Sequence, residues 1–315
     1  MHFSVLEEES PKSLAERRRP LIAEIKRNSL DDGPEIRSVV FFKGCPLACI
    51  WCHNPECISA KPEIMFQREA CINAGDCRRV CPEGAIGEAG PGAIDLSKCT
   101  LCGDCVDECP SGALSIVGKY YSPDELVETL VRDQAFYDNS NGGVTLSGGE
   151  PTLIMDYTAE VACKLKYRGI NVLIETCGDF DWDRFAGKLL PYVDIVYADL
   201  KLASDDLHRQ FTGRSNARIT ENIEKLIGAE GIDLWIRVPL IPGVTTTREN
   251  LEAIASWLRQ RGVHRIALMP YNPLWIAKVK ALWKTLAYQR DTWMTEEERR
   301  TVKDVFAGFQ IARAF

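Results

Sequence analysis

The sequence predicts an α/β fold, a partial (β/α)6 barrel that carries an inserted small domain. Three observations lead there. Six short apolar runs alternate with helical patterns, which implies a parallel sheet with right-handed crossovers. Eleven of the thirteen cysteines in this chain of 315 residues fall between Cys45 and Cys109. From Asn54 to about Gly118 the alternation stops, and Cys, Gly and Pro replace any periodic pattern.

Residues 1–30 read as a polar, irregular N-terminal extension that closes in a turn at Asp31-Asp32-Gly33-Pro34. Its one tight basic run, Arg17-Arg18-Arg19, reads as a solvated stretch of helix rather than a nucleic-acid patch. The first strand runs from Ile36 to Lys43 and is stopped by Gly44, so Cys45 emerges just beyond its end. Val144 to Leu146, Asn171 to Glu175, Val193 to Leu200, Asp233 to Leu240 and His264 to Met269 supply the other five strands. Ser122-Pro123-Asp124-Glu125 opens a helix with a cap, Pro at the first position and acids facing the dipole. Leu126, Val127, Leu130 and Val131 form its apolar face. Thr246 to Glu249 reads as a capping box, and a last helix starts near Thr295. The barrel thus takes residues 31–53 and 119–315, the insertion residues 54–118. Catalytic groups are expected at the carboxyl ends of the strands.

Composition narrows the class. With 45% hydrophobic and 26% charged residues the chain reads as a soluble protein, and no apolar run approaches the roughly 20 residues needed to span a bilayer. The net charge of -7 and scattered basic residues predict no nucleic-acid partner. The first residues lack the basic segment and apolar core of a secretory signal, which predicts a cytoplasmic location. Thiols stay reduced there, so clustered cysteines point to metal rather than disulfides.

Cys45, Cys49 and Cys52, spaced x3 and x2 in one loop, can place three thiolates on three corners of a cubane cluster and leave the fourth iron open. A structural zinc site is the competing reading, with His53 or Cys57 as fourth ligand. The surrounding residues bear on that choice. Gly44-Cys45-x3-Cys49-x2-Cys52-His53-Asn54 resembles the signature loop of the radical S-adenosylmethionine (SAM) superfamily, and more narrowly the activating enzymes of glycyl-radical enzymes, the pyruvate formate-lyase activating enzyme among them. Asp32-Gly33-Pro34, Ser147-Gly148-Gly149-Glu150-Pro151, Asp199-Leu200-Lys201, Thr212-Gly213-x-Ser215-Asn216 and Arg237-x-Pro239-x-Ile241-Pro242-Gly243 follow in that family's order.

The resemblance implies a partial (β/α)6 TIM-like barrel of the radical SAM type, with a 4Fe-4S cluster on Cys45, Cys49 and Cys52 and SAM chelated to its free iron. It implies that Trp51, His53, Gly148, Gly149, Glu150, Asp199 and Lys201 bind the cofactor. Glu175, before Thr176, falls where family members have an Asp-Thr or Glu-Thr pair, in some of them with a monovalent cation. Asn272 replaces the His of the family's Pro-Tyr-His; it can hydrogen-bond but cannot titrate near neutrality. Glu35 replaces a glycine of the family pattern. No side chain is expected to act as acid or base.

Cys99-x2-Cys102-x2-Cys105-x3-Cys109-Pro110 is the bacterial ferredoxin run, whose fourth cysteine ligates the other cluster of a pair. The first half of this repeat of about 28 residues, Cys71-x5-Cys77-x3-Cys81-Pro82, has Ala74 where the second cysteine belongs. Cys57 is the candidate replacement. Crossed ligation then gives Cys57, Cys71, Cys77 and Cys109 to one auxiliary 4Fe-4S cluster and Cys81, Cys99, Cys102 and Cys105 to the other, three clusters in all. A three-cysteine or 3Fe cluster, with Cys57 free, is the alternative. Cys163 and Cys177 read as structural.

The reaction implied is hydrogen abstraction from a backbone glycine of a partner glycyl-radical enzyme by a monomer, with flavodoxin or ferredoxin as electron donor. Two other readings stay open, a radical SAM enzyme acting on a small molecule or peptide and a ferredoxin-like electron carrier. Trp275, Trp283 and Trp293 belong either to a docking surface or to a packed core.

Overall fold

The computed structural model describes residues 20–88 and 90–312; Arg17, Arg18 and Arg19 lie outside the described residues. Strands β1 (Leu21–Ser29), β2 (Arg37–Phe42), β3 (Glu63–Phe66), β4 (Leu114–Val117), β5 (Lys119–Tyr120), β6 (Gly143–Gly148), β7 (Asn171–Thr176), β8 (Ile195–Asp199), β9 (Asp233–Leu240), β10 (Arg265–Pro270) and β11 (Gln310–Ile311) follow in chain order. Nine of them form one sheet, ordered β11-β10-β9-β8-β7-β6-β2-β1-β5. From β2 through β6 to β10 every pairing is parallel, as the six apolar runs predict.

Side-chain direction alternates along a strand, so each parallel strand has one face toward the covering helices and one toward the barrel interior. The even-numbered residues Val40, Phe42, Val144, Leu146, Val172, Ile174, Val196, Ala198, Ile236 and Val238 belong to the large core beneath the helices. Leu173, Ile195, Tyr197 and Trp235 form a separate cluster on the opposite face. Above that apolar floor the same odd-numbered face carries Ser147, Glu175, Asp199 and Arg237, near the carboxyl ends of their strands.

Two expectations are corrected. Residues 20–30, read from sequence as irregular extension, include β1, which pairs antiparallel with β2 and β5 and extends the main sheet. Its sequence, Leu-Ile-Ala-Glu-Ile-Lys-Arg-Asn-Ser, carries too many charges to read as a strand; pairing on both sides and the Arg27–Asp133 ion pair hold it. The helix Arg248–Gln260 is capped by Thr247, whose side chain accepts from the Asn250 amide at 3.3 Å, not by a Thr246–Glu249 box. The caps at Ser122 and Thr295 form complete boxes with Glu125 and Glu298.

The insertion has its own small core. β3 and β4 pair antiparallel, and the helices Asp76–Val80 and Asp104–Asp107 repeat one another, each entered through a glycine of positive φ, Gly75 at 83° and Gly103 at 99°. Trp283, from the segment after β10, completes this core: it stacks on Phe66 at 6.3 Å and donates Nε1–H to the Gly92 carbonyl at 3.2 Å. Lys284 reaches Glu63 at 2.8 Å and the Pro55 carbonyl at 2.9 Å. Trp275 is also packed, whereas Trp293 is exposed. Among the described residues no helix is long and apolar enough to cross a membrane.

Asp133 shows how β1 is fastened. It is buried, accepts from the Ser38 hydroxyl at 2.7 Å and from Arg27 Nε at 2.7 Å. Burial pushes its carboxyl up, but the hydrogen bonds from Arg27 and Ser38 outweigh this and hold it below the usual range. A depressed folded-state pKa contributes stability above the unfolded value of about 3.9, and that stability is lost as pH falls through the folded value. Asp133→Asn is therefore expected to cost about 1–3 kcal/mol in urea unfolding near neutrality. The deficit should shrink as the pH drops below about 4, and a deficit that grows on acidification would refute this account.

Candidate functional site: a cluster loop over a charged barrel mouth

A cavity of about 430 Å³ opens at the carboxyl ends of the parallel strands. The loop after β2 supplies Cys45, Cys49, Cys52, Trp51 and His53 to its wall; the end of β6 and the loop after it supply Gly148 and Gly149, β7 Glu175, the end of β8 and the loop after it Asp199 and Lys201, and the turn after β10 Asn272. Residues 227 positions apart in sequence meet here because parallel strands stack their carboxyl ends on one side.

The three cysteines are free and half-buried. Burial pushes the Cys49 thiol up to about 12, partly opposed by Lys201, and raises Cys52 further. Cys45 moves the other way, because the thiol of Cys177 hydrogen-bonds to it. Cys177 thus stands beside the loop at the end of β7. Among the described residues no three His, Cys, Asp or Glu side chains converge closely enough to chelate a single ion. The three thiols, all on the loop after β2, line one side of the cavity.

Glycine is required where the loops cross. A Cβ on Gly149 would lie 2.1 Å from the Gly44 carbonyl oxygen and 2.6 Å from that of Cys57; one on Gly148 would lie 2.3 Å from the Phe42 amide. The Glu150 amide donates to the Gly44 carbonyl at 2.7 Å, and the Gly44 amide to that of Cys57 at 2.8 Å. The glycine pair therefore presses the loop after β6 against the cysteine loop as well as lining the cavity.

Glu150 is placed differently from the expectation of a cofactor ligand. Its carboxylate accepts from Thr152 Oγ1 at 2.7 Å, Thr176 Oγ1 at 2.9 Å and the Cys177 amide at 2.7 Å. Saturated in this way and 1% exposed, it ties the ends of β6 and β7 together below the cavity wall. Ser147, one pleat earlier, does face inward and donates to Glu175 at 2.6 Å.

Arg237 joins the charges. The register sets Asp199 beside Arg237, and the guanidinium reaches Asp199 at 2.6 Å and Glu175 at 2.5 Å, while Lys201 hydrogen-bonds the other oxygen of Asp199. Burial alone would push the Asp199 carboxyl up; Arg237 and Lys201 more than offset this and hold it ionised. The motif Arg237-x-Pro239-x-Ile241-Pro242-Gly243 does not by itself place Arg237 at the site. The signal is the alternation within β9, where Arg237 stands between Ile236 and Val238, both in the apolar core.

His53 lies flat against Trp275 at 6.3 Å and edge-on to Tyr271 at 5.8 Å, with its buried Nε2 unpartnered. Burial, then Lys278 and Lys201, lower its pKa to about 4, so it is neutral at physiological pH. The Asn272 side chain caps its own turn, accepting from the Leu274 amide at 2.9 Å.

The auxiliary cysteines fall into two places. Cys81, Cys99, Cys102 and Cys105 line one apolar cavity; Cys71, Cys77 and Cys109 line another. Cys57 joins neither. It ends the short helical turn Pro55–Cys57, buried beside the main loop, where Glu56 and Cys52 add to the effect of burial in raising its thiol. Lys278 and Lys284 anchor that turn through Glu56 and the Pro55 carbonyl, which keeps Cys57 on the barrel side.

Residues 97–287 match the Radical SAM superfamily, and residues 63–110 match a 4Fe-4S dicluster domain. The chain belongs to the radical SAM superfamily. It is 37% identical over 292 residues to the trans-4-hydroxy-L-proline dehydratase activating enzyme of Clostridioides difficile, covering 91% of this chain and 96% of that one. The benzylsuccinate synthase activating enzyme of Thauera aromatica is 40% identical over 255 residues, 79% of this chain and 76% of the relative. The pyruvate formate-lyase 2-activating enzyme of Escherichia coli strain K12 is 33% identical over 298 residues, 92% and 91% of the two chains. Within the superfamily, this chain belongs to the activating enzymes of glycyl-radical enzymes.

Removing the guanidinium would leave two buried carboxylates with a single lysine. Arg237→Met is expected to lose about 3–5 kcal/mol of stability, read as a lower urea midpoint. An unchanged midpoint would show that Glu175 and Asp199 do not depend on Arg237.

Proposed function

We propose that the chain reductively cleaves SAM and uses the product to abstract hydrogen from a backbone glycine of a partner glycyl-radical enzyme. The observation that carries this reading is that Cys45, Cys49 and Cys52 line one cavity whose wall also carries a balanced set of buried charges. The relatives, each an activating enzyme by name, support it.

Cys45, Cys49 and Cys52 would hold a 4Fe-4S cluster with one iron free for the amino and carboxylate groups of SAM. When bound and reduced, that cluster supplies the electron that splits SAM into methionine and a 5'-deoxyadenosyl radical. The rest is positioning. Lys201 and Asp199 offer a cation and an anion to the zwitterionic and ribosyl parts of SAM, and Arg237 keeps Asp199 ionised for that task. Neutral His53, unpartnered at Nε2 and set beside Trp51 and Asn272 in the same wall, suits the uncharged adenine ring. Gly148 and Gly149 open the backbone to the amino-acid head group. Glu175 and Thr176 would flank a monovalent cation. No side chain need exchange a proton, which fits a position 272 filled by Asn.

The inserted domain would hold two further 4Fe-4S clusters that relay electrons inward from a flavodoxin or ferredoxin. A monomeric, cytoplasmic chain is the proposed state.

The reduced protein with SAM and a glycyl-radical partner should give 5'-deoxyadenosine together with the EPR doublet of a glycyl radical on the partner. Cys49→Ser should lower iron by about four per chain and abolish both products. Deoxyadenosine without a doublet, across a panel of partners, would exclude the activase reading and leave a small-molecule substrate.

A further inference from the structure

The two halves of the inserted domain differ at one wall position. Cys99, Cys102 and Cys105 correspond to Cys71, Ala74 and Cys77, so the residue that should carry the second thiol of the first half is an alanine. In space this alanine lines the same cavity of about 220 Å³ as Cys71, Cys77 and Cys109.

No other thiol reaches that wall. Cys57 is fixed on the barrel side through its own carbonyl and the Lys278–Glu56 pair. Cys163 lies in the helix Met155–Tyr167 and Cys177 at the end of β7. The two carboxylates on the wall form solvent-exposed ion pairs with arginines. Asp76 accepts from Arg79 at 2.7 Å and Glu88 from Arg78 at 3.4 Å. Asn73 Oδ1 accepts from the Cys71 thiol at 3.7 Å, and Ser111 Oγ lies 3.8 Å from the Cys109 sulfur. The neighbouring Ile72 is 66% exposed, so the wall is open to solvent.

We infer that a cluster held by Cys71, Cys77 and Cys109 has a fourth iron with no protein ligand, on the Ala74 side. This corner takes a small exchangeable donor from solution, an oxygen ligand that cyanide can displace. The inference rests on the reading that the insertion holds two clusters. It gives the chain a second open iron, outside the SAM site and on the surface of the insertion. The other auxiliary site, with four thiols in an apolar pocket, has no such corner.

The test uses the full-length chain with Cys45, Cys49 and Cys52 all changed to Ala, which removes the SAM cluster. This protein should bind about eight irons. A one-electron oxidation with ferricyanide should expel one Fe²⁺ and yield about one spin per chain of three-iron EPR signal. Cyanide added to the dithionite-reduced protein should shift the EPR spectrum of one cluster. Ala74→Cys in the same background should abolish both responses, and Cys57→Ser should leave both intact. Three outcomes overturn the inference. An iron content near four overturns the two-cluster reading with it; near eight irons with neither response overturns the open corner alone; loss of iron in Cys57→Ser makes Cys57 the ligand. If Ala74→Cys does not fold, the cyanide response of the parent protein still decides.

Discussion

Arg237 lies between Glu175 and Asp199 inside the barrel mouth, and with Lys201 it makes a buried set of two positive and two negative groups. Ions taken out of water cost several kcal/mol each unless they are matched in place, so none of the four is tolerable alone. Three neighbouring strands must therefore end in register. The mouth that results is polar, rigid and electrically balanced, with an apolar floor of Leu173, Ile195 and Tyr197 beneath it. A zwitterionic cofactor can exchange hydrogen bonds with such a wall without leaving a stranded charge.

The cysteine loop depends on that wall at one remove. Gly149 lets the loop after β6 touch the carbonyls of Gly44 and Cys57, while Glu150 clamps the same loop to Thr176 and Cys177. Cys45 emerges against this surface, with the Cys177 thiol at its side. Packing of backbone on backbone sets where the thiols stand; it leaves little room for side chains, which explains the two successive glycines.

The insertion is joined to the barrel by a different device. Trp283 reaches from the barrel's last third into the insertion's core, and Lys284 and Lys43 share Glu63 at the edge of β3. An aromatic plug and shared ion pairs keep the auxiliary sites at a fixed place relative to the mouth. Trp283 adopts φ 53°, a conformation that a large side chain occupies only when its surroundings fix it.

Sequence alone determined the six parallel strands, the interrupted alternation and the three-cysteine loop. Each is written locally: an apolar run, a Cys spacing, a Gly-Gly after a strand. It also set Cys71, Cys77 and Cys109 apart from Cys81, Cys99, Cys102 and Cys105, as the two cavities do, but joined Cys57 to the first group. Tertiary structure decided what depends on contact between distant segments. β1 is a strand because β2 and β5 pair with it, not because its own residues favour one. Glu150 faces away from the cavity because Thr176 and Cys177 claim its oxygens. Arg237 belongs to the site because the register sets it against Asp199. Cys57 stays with the barrel because Lys278 and Lys284, more than 200 residues later in the chain, hold its turn there. Burial and charge balance are properties of neighbours, and most of these neighbours lie far apart in the chain.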